Sequence, residues 1–192
     1  MESEISIFSE IVVHQIEGVM IHDDIANIMD FMGLRGFKRE HEYHALKEFC
    51  EMRSVNRYAI NHVNYIPNGK GANRPVTIIP ESWYNASRFK VSESERKNKI
   101  KEVYDKWREY ETQTKVFYQS KFEELCELGA IASANKINCL IKDVDKELKR
   151  VERKMLEYDA VGWDMLYIVE QQECIHDEYE QKTKDTIKIE MC

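Results

Sequence analysis

"PNGKGANRPVTIIPESWYNASRFKV", residues 67–91, holds all three prolines of the chain (Pro67, Pro75, Pro80). Proline fixes φ and removes a backbone donor, so each one stops a helix. The rest of the 192 residues, with 5 glycines outside this stretch against 7 in all, runs with few breakers, which predicts long helices on both sides. Within the stretch, the start reads as a Gly/Asn/Pro loop, "VTII" as extended chain, and "PESWYNASRF" as a short helix opened by Pro80. What this segment joins decides the fold.

Upstream, one helix is expected from about residue 3 to residue 31. Ile7, Ile11, His14, Gly18, Ile21, Ile25, Ile28 and Met32 alternate at spacings of four and three, the signature of one helical face. "GLRG" (33–36) stops it, and a second helix is expected from about Phe37 to Ile66, closed by Pro67. Downstream, "SESE" (92–95) reads as a capping box that opens a third helix with Ile100, Val103, Trp107, Tyr110, Thr114 and Phe117 on its core face. Gly129 ends it. The fourth seam is the most regular: Ile137, Ile141, Val144, Leu148, Val151, Met155, Tyr158, Gly162, Met165, Val169, Gln172, His176 and Tyr179. It predicts a continuous or once-bent helix that packs on the third and then overhangs the bundle or touches a partner.

Connection lengths choose the topology. The first and last helix pairs are joined by a few residues, so each is an antiparallel hairpin. A helix of 30 residues is about 45 Å long, and the 67–91 segment can span about 80 Å when extended. It is expected to cross the length of the bundle. The fold class predicted is all-α: a four-helix bundle over 1–161, with the crossover at 67–91 and a helical extension over 162–192.

The hairpins also bring carboxylates to one height. Glu17 precedes Leu34 by 17 residues and Glu51 follows it by 17, with Glu48 one turn earlier; Glu111 precedes Gly129 by 18 and Glu147 follows it by 18. Four helices each offering a glutamate at midlength supply the oxygen donors that hard cations need, and carboxylates can bridge two ions. Unpaired and unligated, such groups are costly to bury.

At these residues the sequence resembles the ferritin-like superfamily. "YETQTKVFYQSKFEELCELGAIASANKINCLIKDVDKELK" (110–149) is similar to the ferritin pattern of a helix-C glutamate, a short turn, and an acidic cluster, here Asp143, Asp145 and Glu147. The N-terminal half resembles it in Glu17 and the acidic motif of the second helix, and the resemblance covers about residues 5–160. It implies a two-hairpin bundle whose metal ligands would be Glu17, Glu48, Glu51, Glu111 and Glu147, holding two Fe or Mn ions. The family carries Glu-x-x-His on helix B, whereas this chain has Glu48-x-x-Glu51, with His44 one turn earlier as a nitrogen donor about 6 Å off in height. The chain's own Glu-x-x-His, Glu173 to His176, lies far beyond the midlevel.

Other histidines are weighed singly. His41, Glu42 and His62 are expected at the surface or rim, and His14, on an apolar face, as a hydrogen-bonded core residue. No phosphate loop, dinucleotide glycine motif, hydrolase elbow or zinc motif occurs. Cys50, Cys126, Cys139, Cys174 and Cys192 are scattered and without a CxxC, as expected of reduced thiols in a cytoplasmic protein. The acidic first twenty residues do not read as a signal peptide, and no apolar run reaches membrane-spanning length. A net charge of −7 argues against general nucleic-acid binding, although residues 67–101 hold eight basic and three acidic side chains.

Two function classes follow. The first is a non-enzymatic bundle with a degenerate or absent metal site that binds a macromolecule or itself, with Met165, Val169, Gln172, His176 and Tyr179 as the partner surface; a phage or mobile-element accessory protein would fit. The second is a di-iron or di-manganese carboxylate protein that oxidises or stores Fe(II). The expectation set here places the binding role ahead.

Overall fold

The computed structural model describes residues 2–72 and 91–191. The chain forms α1 (Glu2–Phe31), α2 (Arg35–Tyr58), α3 (Glu93–Glu127), α4 (Ile131–Ala160), α5 (Met165–Glu170) and α6 (Gln172–Met191). A π-helical turn, Ala59–Val63, extends α2 and is closed by Asn64 at φ 57°, a left-handed position that asparagine tolerates. The readings made for residues 73–90 lie outside the described residues.

Local chemistry sets the helix ends. Gly33 (φ 80°) and Gly129 (φ 72°) make the two tight hairpin turns. The capping box forms as read: Ser92 Oγ accepts from Glu95 N at 3.2 Å, and Ser92 N donates to Glu95 Oε2 at 2.8 Å.

Pairings across the bundle fix the directions. His14 meets Thr114 and Glu10 meets Lys121; Tyr58 meets Ser133 and Glu40 meets Lys154. So α1 is antiparallel to α3, and α2 to α4. Val55 and Ala59 near the end of α2 pack with Tyr118 and Leu125 near the end of α3, whereas Phe37 and Ile100, near the two starts, share the opposite cluster. Helices α2 and α3 therefore run the same way, and the 67–91 segment joins opposite ends of the bundle. This is two hairpins with one long crossover.

The apolar interior is in two parts. One cluster, near the 31–35 turn, contains Ile25, Met29, Phe37, Tyr104, Trp107, Val151 and Tyr158. The other, near the 127–131 turn, contains Phe8, Ile11, Val55, Tyr118, Ile137 and Leu140. Fully burying such side chains stabilises by roughly 1.5–3 kcal/mol each, which lets the fold carry a polar layer between them.

The seam expected to continue through one bent helix is divided. Gly162 (φ 61°) and Trp163 (φ 56°) turn the chain. A left-handed tryptophan costs about 1–3 kcal/mol; burial of its ring (3% exposed) and an indole hydrogen bond to Asp159 Oδ1 at 2.6 Å offset this. Asp164 then caps α5 by accepting from Tyr167 N. Helix α6 lies back along α2. Gly36 N donates to Gln172 Oε1 at 2.8 Å, and a β-carbon at Gly36 would overlap the Gln172 carbonyl oxygen. Met165, Ile168, Ile175 and Tyr179 join the core cluster near the 31–35 turn, so this part of the segment packs on the bundle of its own chain. No described helix is long and apolar enough to cross a membrane.

Candidate metal centre in the polar layer

Between the apolar clusters, α2 contributes Glu48 and Glu51, α3 contributes Glu111 and α4 contributes Glu147. The four carboxylates act on one another electrostatically. Burial, then Glu51 and Glu111, push Glu48 well above the usual carboxylate range. Burial raises Glu51 to about 7, with Lys47 opposing. Burial raises Glu111 to about 8, against the hydrogen bond from Trp107 Nε1 to Glu111 Oε1 at 3.0 Å. These directions share a first cause, burial away from water, to which the neighbouring carboxylates add.

Lys47 supplies part of the balance. Its Nζ is 2.8 Å from Glu147 Oε1 and 3.7 Å from Glu51 Oε1. Burial would lower its basicity, but Glu51 and Glu147 outweigh that and hold the ammonium charged. The side chains of Lys47, Glu51 and Glu147 keep 26%, 18% and 15% exposure, so the layer opens to solvent between α2 and α4. Glu111 is closed in, at 3%.

Helix α1 contributes differently. Glu17 lines a surface groove with Glu10, His14 and Lys70. The α1 backbone comes closest to the carboxylates at Gly18, where a β-carbon would lie 3.1 Å from the Glu48 carboxyl carbon and overlap the Tyr110 hydroxyl. Glycine here lets α2 and α3 side chains fill space that any other residue would take.

Three histidines adjoin the layer. His44 is buried, with Nδ1 3.7 Å from Glu147 Oε2. His22 Nε2 is 3.9 Å from Glu111 Oε1. His41, expected at the rim, is 0% exposed: it faces His22 across α1 and α2, and Trp107 covers it. Glu42 is half-buried at the surface, and His62 is exposed. His14 is half-buried and hydrogen-bonded, 2.8 Å from Thr114 Oγ1, and burial lowers it to about 4.

Four buried polar atoms in and beside the layer lack hydrogen-bond partners among the described residues: Glu48 Oε2, Glu147 Oε2, His41 Nε2 and His44 Nε2. Such orphaned atoms are rare in folded interiors and ask for an unseen partner. Oxygen donors with imidazole nearby match Fe(II) and Mn(II). His22, His41, Lys47 and Trp107 were not singled out from the sequence as parts of this site. The signal for His22 and His41 was their position on the inner faces of the first hairpin, at spacings the apolar seam does not mark.

The residues read as a partner surface are dispersed. Tyr179 is fully buried and donates to Glu40 Oε1 at 2.8 Å. Met165 is buried, Gln172 is tied to Gly36, and Val169 is 50% exposed. His176 groups with Asp177 and Glu180 at the surface, their ligand atoms within 4.8 Å of one another.

No protein-family model matches the sequence, and no curated protein matches it. Solved structures do. A humanized archaeal ferritin superposes with a TM-score of 0.75 at 12% identity, over 92% of this chain and 96% of its own. An open-pore ferritin from the hyperthermophilic archaeon Archaeoglobus fulgidus gives 0.75 at 11% identity, over 92% and 97%. A form of the Archaeoglobus fulgidus ferritin engineered to be closed gives 0.70 at 11%, over 92% and 96%. With two hairpins, a lengthwise crossover and these neighbours, the chain has the ferritin-like fold.

Proposed function

We propose that the polar layer binds divalent transition-metal ions, and that the protein takes up Fe(II) as its substrate for oxidation or storage. Glu48, Glu51, Glu111 and Glu147 are the oxygen donors, with His44 the nitrogen donor beside Glu147. The observation that carries this is the convergence of four glutamates from three helices, with Glu48, Glu51 and Glu111 made more basic by burial first and by neighbouring carboxylates second, and with two carboxylate oxygens lacking partners among the described residues. Bound metal would supply the positive charge the layer lacks and a Lewis-acidic, redox-active centre. The chain's own residues do the rest. Trp107 orients Glu111, Lys47 neutralises Glu147 until a cation arrives, and the gap between α2 and α4 admits the ion. The resemblance to ferritins supports the same reading.

The set differs from the one the sequence suggested in two respects. Glu17 faces a groove, so α1 is left with Gly18 at the layer, and Lys47 stands where a cation would otherwise be nearest Glu147. Binding a macromolecular partner has less support, since α6 is spent on its own bundle.

The test is elemental analysis followed by anaerobic Fe(II) titration of wild type, Glu48→Ala and Glu111→Ala. About two ions per chain, lost in both variants while helicity persists, is expected. Full uptake by folded Glu48→Ala and Glu111→Ala would refute the assignment.

A further inference from the structure

Beside the opening of the polar layer, α4 and α6 form a surface groove of about 470 Å³. Lys146, Lys149, Arg150 and Arg153 line it from α4 and Lys182 from α6, against two carboxylates, Glu147 and Glu178. The i, i+3, i+4, i+7 spacing of the α4 cations puts them along one helical face. On a chain of net charge −7 the groove is a local reversal of sign.

Its own carboxylates do not cancel these charges. Glu147 is held by Lys47, at 2.8 Å. Glu178 accepts from Arg150 at 2.8 Å and from Lys182 at 2.6 Å. Burial would raise Glu178, but Lys182 and Arg150 outweigh it and hold the carboxyl below its usual range. That is the reverse of Glu48, Glu51 and Glu111 in the layer, and it follows from the excess of cations around Glu178. Lys146 pairs with Asp143 at 2.7 Å and Arg153 with Glu157 at 3.8 Å, both within α4. These two cations are 74% and 72% exposed, and such surface pairs are weakly held. Lys149 is exposed and makes no ion pair or hydrogen bond among the described residues.

The donors divide into a fixed set and a free set. The Arg150 guanidinium lies 4.7 Å and the Lys182 ammonium 4.5 Å from the centre of the Tyr179 ring, and both are tied to Glu178, so this wall of the groove is set in advance. Arg153 meets Glu157 outside hydrogen-bond distance, which leaves its planar fork open to two oxygens of one ligand. Lys149 adds a compact charge with three rotatable donors. A ligand that carries several oxygens and more than one negative charge can engage both sets at once.

We infer that the groove between α4 and α6 binds a phosphate-type oxyanion, with Lys149 and Arg153 as direct donors and Arg150 and Lys182 as the fixed positive wall. Glu147 lines the groove and also takes part in the layer, so the anion lies beside the layer's opening.

Phosphorus NMR of inorganic phosphate, titrated with full-length protein in EDTA, is the measurement, and ATP is the second probe. EDTA keeps metal out, so this result stands apart from success or failure of the carboxylate reading. Wild type is expected to shift and broaden the phosphate resonance, and less so as salt rises. Lys149→Gln and Arg153→Gln should each weaken binding about threefold, and together about tenfold. Lys101→Gln, an equal charge change at an exposed site on α3, should leave binding unchanged. ATP bound more tightly than phosphate assigns the groove to phosphate esters, and equal binding assigns it to the free oxyanion; either way the double variant must weaken both. No response from folded wild type, or wild-type binding by the double variant, would overturn the inference. So would an equal loss in Lys101→Gln, which would make the binding a property of diffuse surface charge.

Discussion

Lys47 Nζ sits 2.8 Å from Glu147 Oε1, in the opening of the polar layer. The ammonium is the layer's built-in counter-charge, and a divalent ion entering there must work against it. Two unit charges 4 Å apart exchange about 4 kcal/mol at an effective dielectric of 20, and about 1.4 kcal/mol is already tenfold in affinity. Lys47→Met is therefore expected to bind Mn(II) or anaerobic Fe(II) at least tenfold more tightly. The metal-free variant should also be less stable, by about 1–2 kcal/mol, because Glu147 and Glu51 lose their partner. Titration calorimetry reads the first effect and thermal unfolding in EDTA the second. Unchanged or weaker metal binding would mean that cations do not enter at Glu147.

The same charge imbalance fixes how stability responds to pH. Glu48, Glu51 and Glu111 hold protons more tightly in the folded state than the unfolded value of about 4.3. Their contribution is full below that value and is lost as pH rises through about 7 for Glu51 and about 8 for Glu111. The buried histidines act oppositely. Their contribution is full above about pH 6.5 and is lost as pH falls through about 4 for His14 and about 3 for His41. Above pH 6.5 the carboxylates act alone, so the metal-free protein should lose on the order of 1–3 kcal/mol between pH 6.5 and 8.5, at about 1.36 kcal/mol per proton per pH unit. Melting in EDTA across this range checks it, and saturating Mn(II), which takes the place of those protons, should abolish the decline. A flat profile in EDTA would show that the glutamates do not carry those protons.

Much of this was legible in the residues because it depends on local rules. Ser92 and Glu95 sit three apart and cap α3, Gly33 and Gly129 supply left-handed turns, and counting from those turns brought Glu48, Glu51, Glu111 and Glu147 to one level. The break at Gly162 was hidden by periodicity. Tyr158, Met165 and Tyr179 are seam positions and all are buried, so the four-three spacing persists at these points while α4 ends and α6 packs on α2. A repeat states which face is covered and is silent on what covers it. Glu17 lines a groove for a related reason: height along a hairpin follows from counting, but rotation about the axis does not. Glu17 and Gly18 differ by about 100°, enough to exchange groove for interior. His22 and His41 were missed because a histidine in a polar stretch reads as solvated until its neighbours across the bundle are known.

The close passage of Gly36 under Gln172 is the contact that seats α6. Gly36→Ala would drive a β-carbon into backbone rather than into a movable side chain, so the start of α6 must lift. A loss of about 1–3 kcal/mol, the usual range for overpacking, is expected. Proteolysis within residues 172–191 should accelerate. An unchanged cleavage rate and melting temperature would mean that α6 is held without this approach.

Beneath α6, Glu40 is 0% exposed and accepts from Lys154 Nζ at 2.6–2.7 Å and from Tyr179 Oη at 2.8 Å. The Arg150 guanidinium lies over the Tyr179 ring at 4.7 Å and donates to Glu178 at 2.8 Å. One buried carboxylate thus ties α2, α4 and α6, next to His41 and one turn from His44. Glu40→Ala strands the Lys154 ammonium, whose side chain is 11% exposed, and should cost about 3–5 kcal/mol. Replacing both members, Glu40→Met with Lys154→Met, removes the stranded charge and should recover most of that loss, because a buried ion pair contributes little over apolar residues of similar size. Denaturant unfolding of the two single variants and the double variant completes the cycle. If the double variant is as unstable as the sum of the singles, the pair is not coupled, and α6 is held by Ile175 and the Tyr179 ring instead.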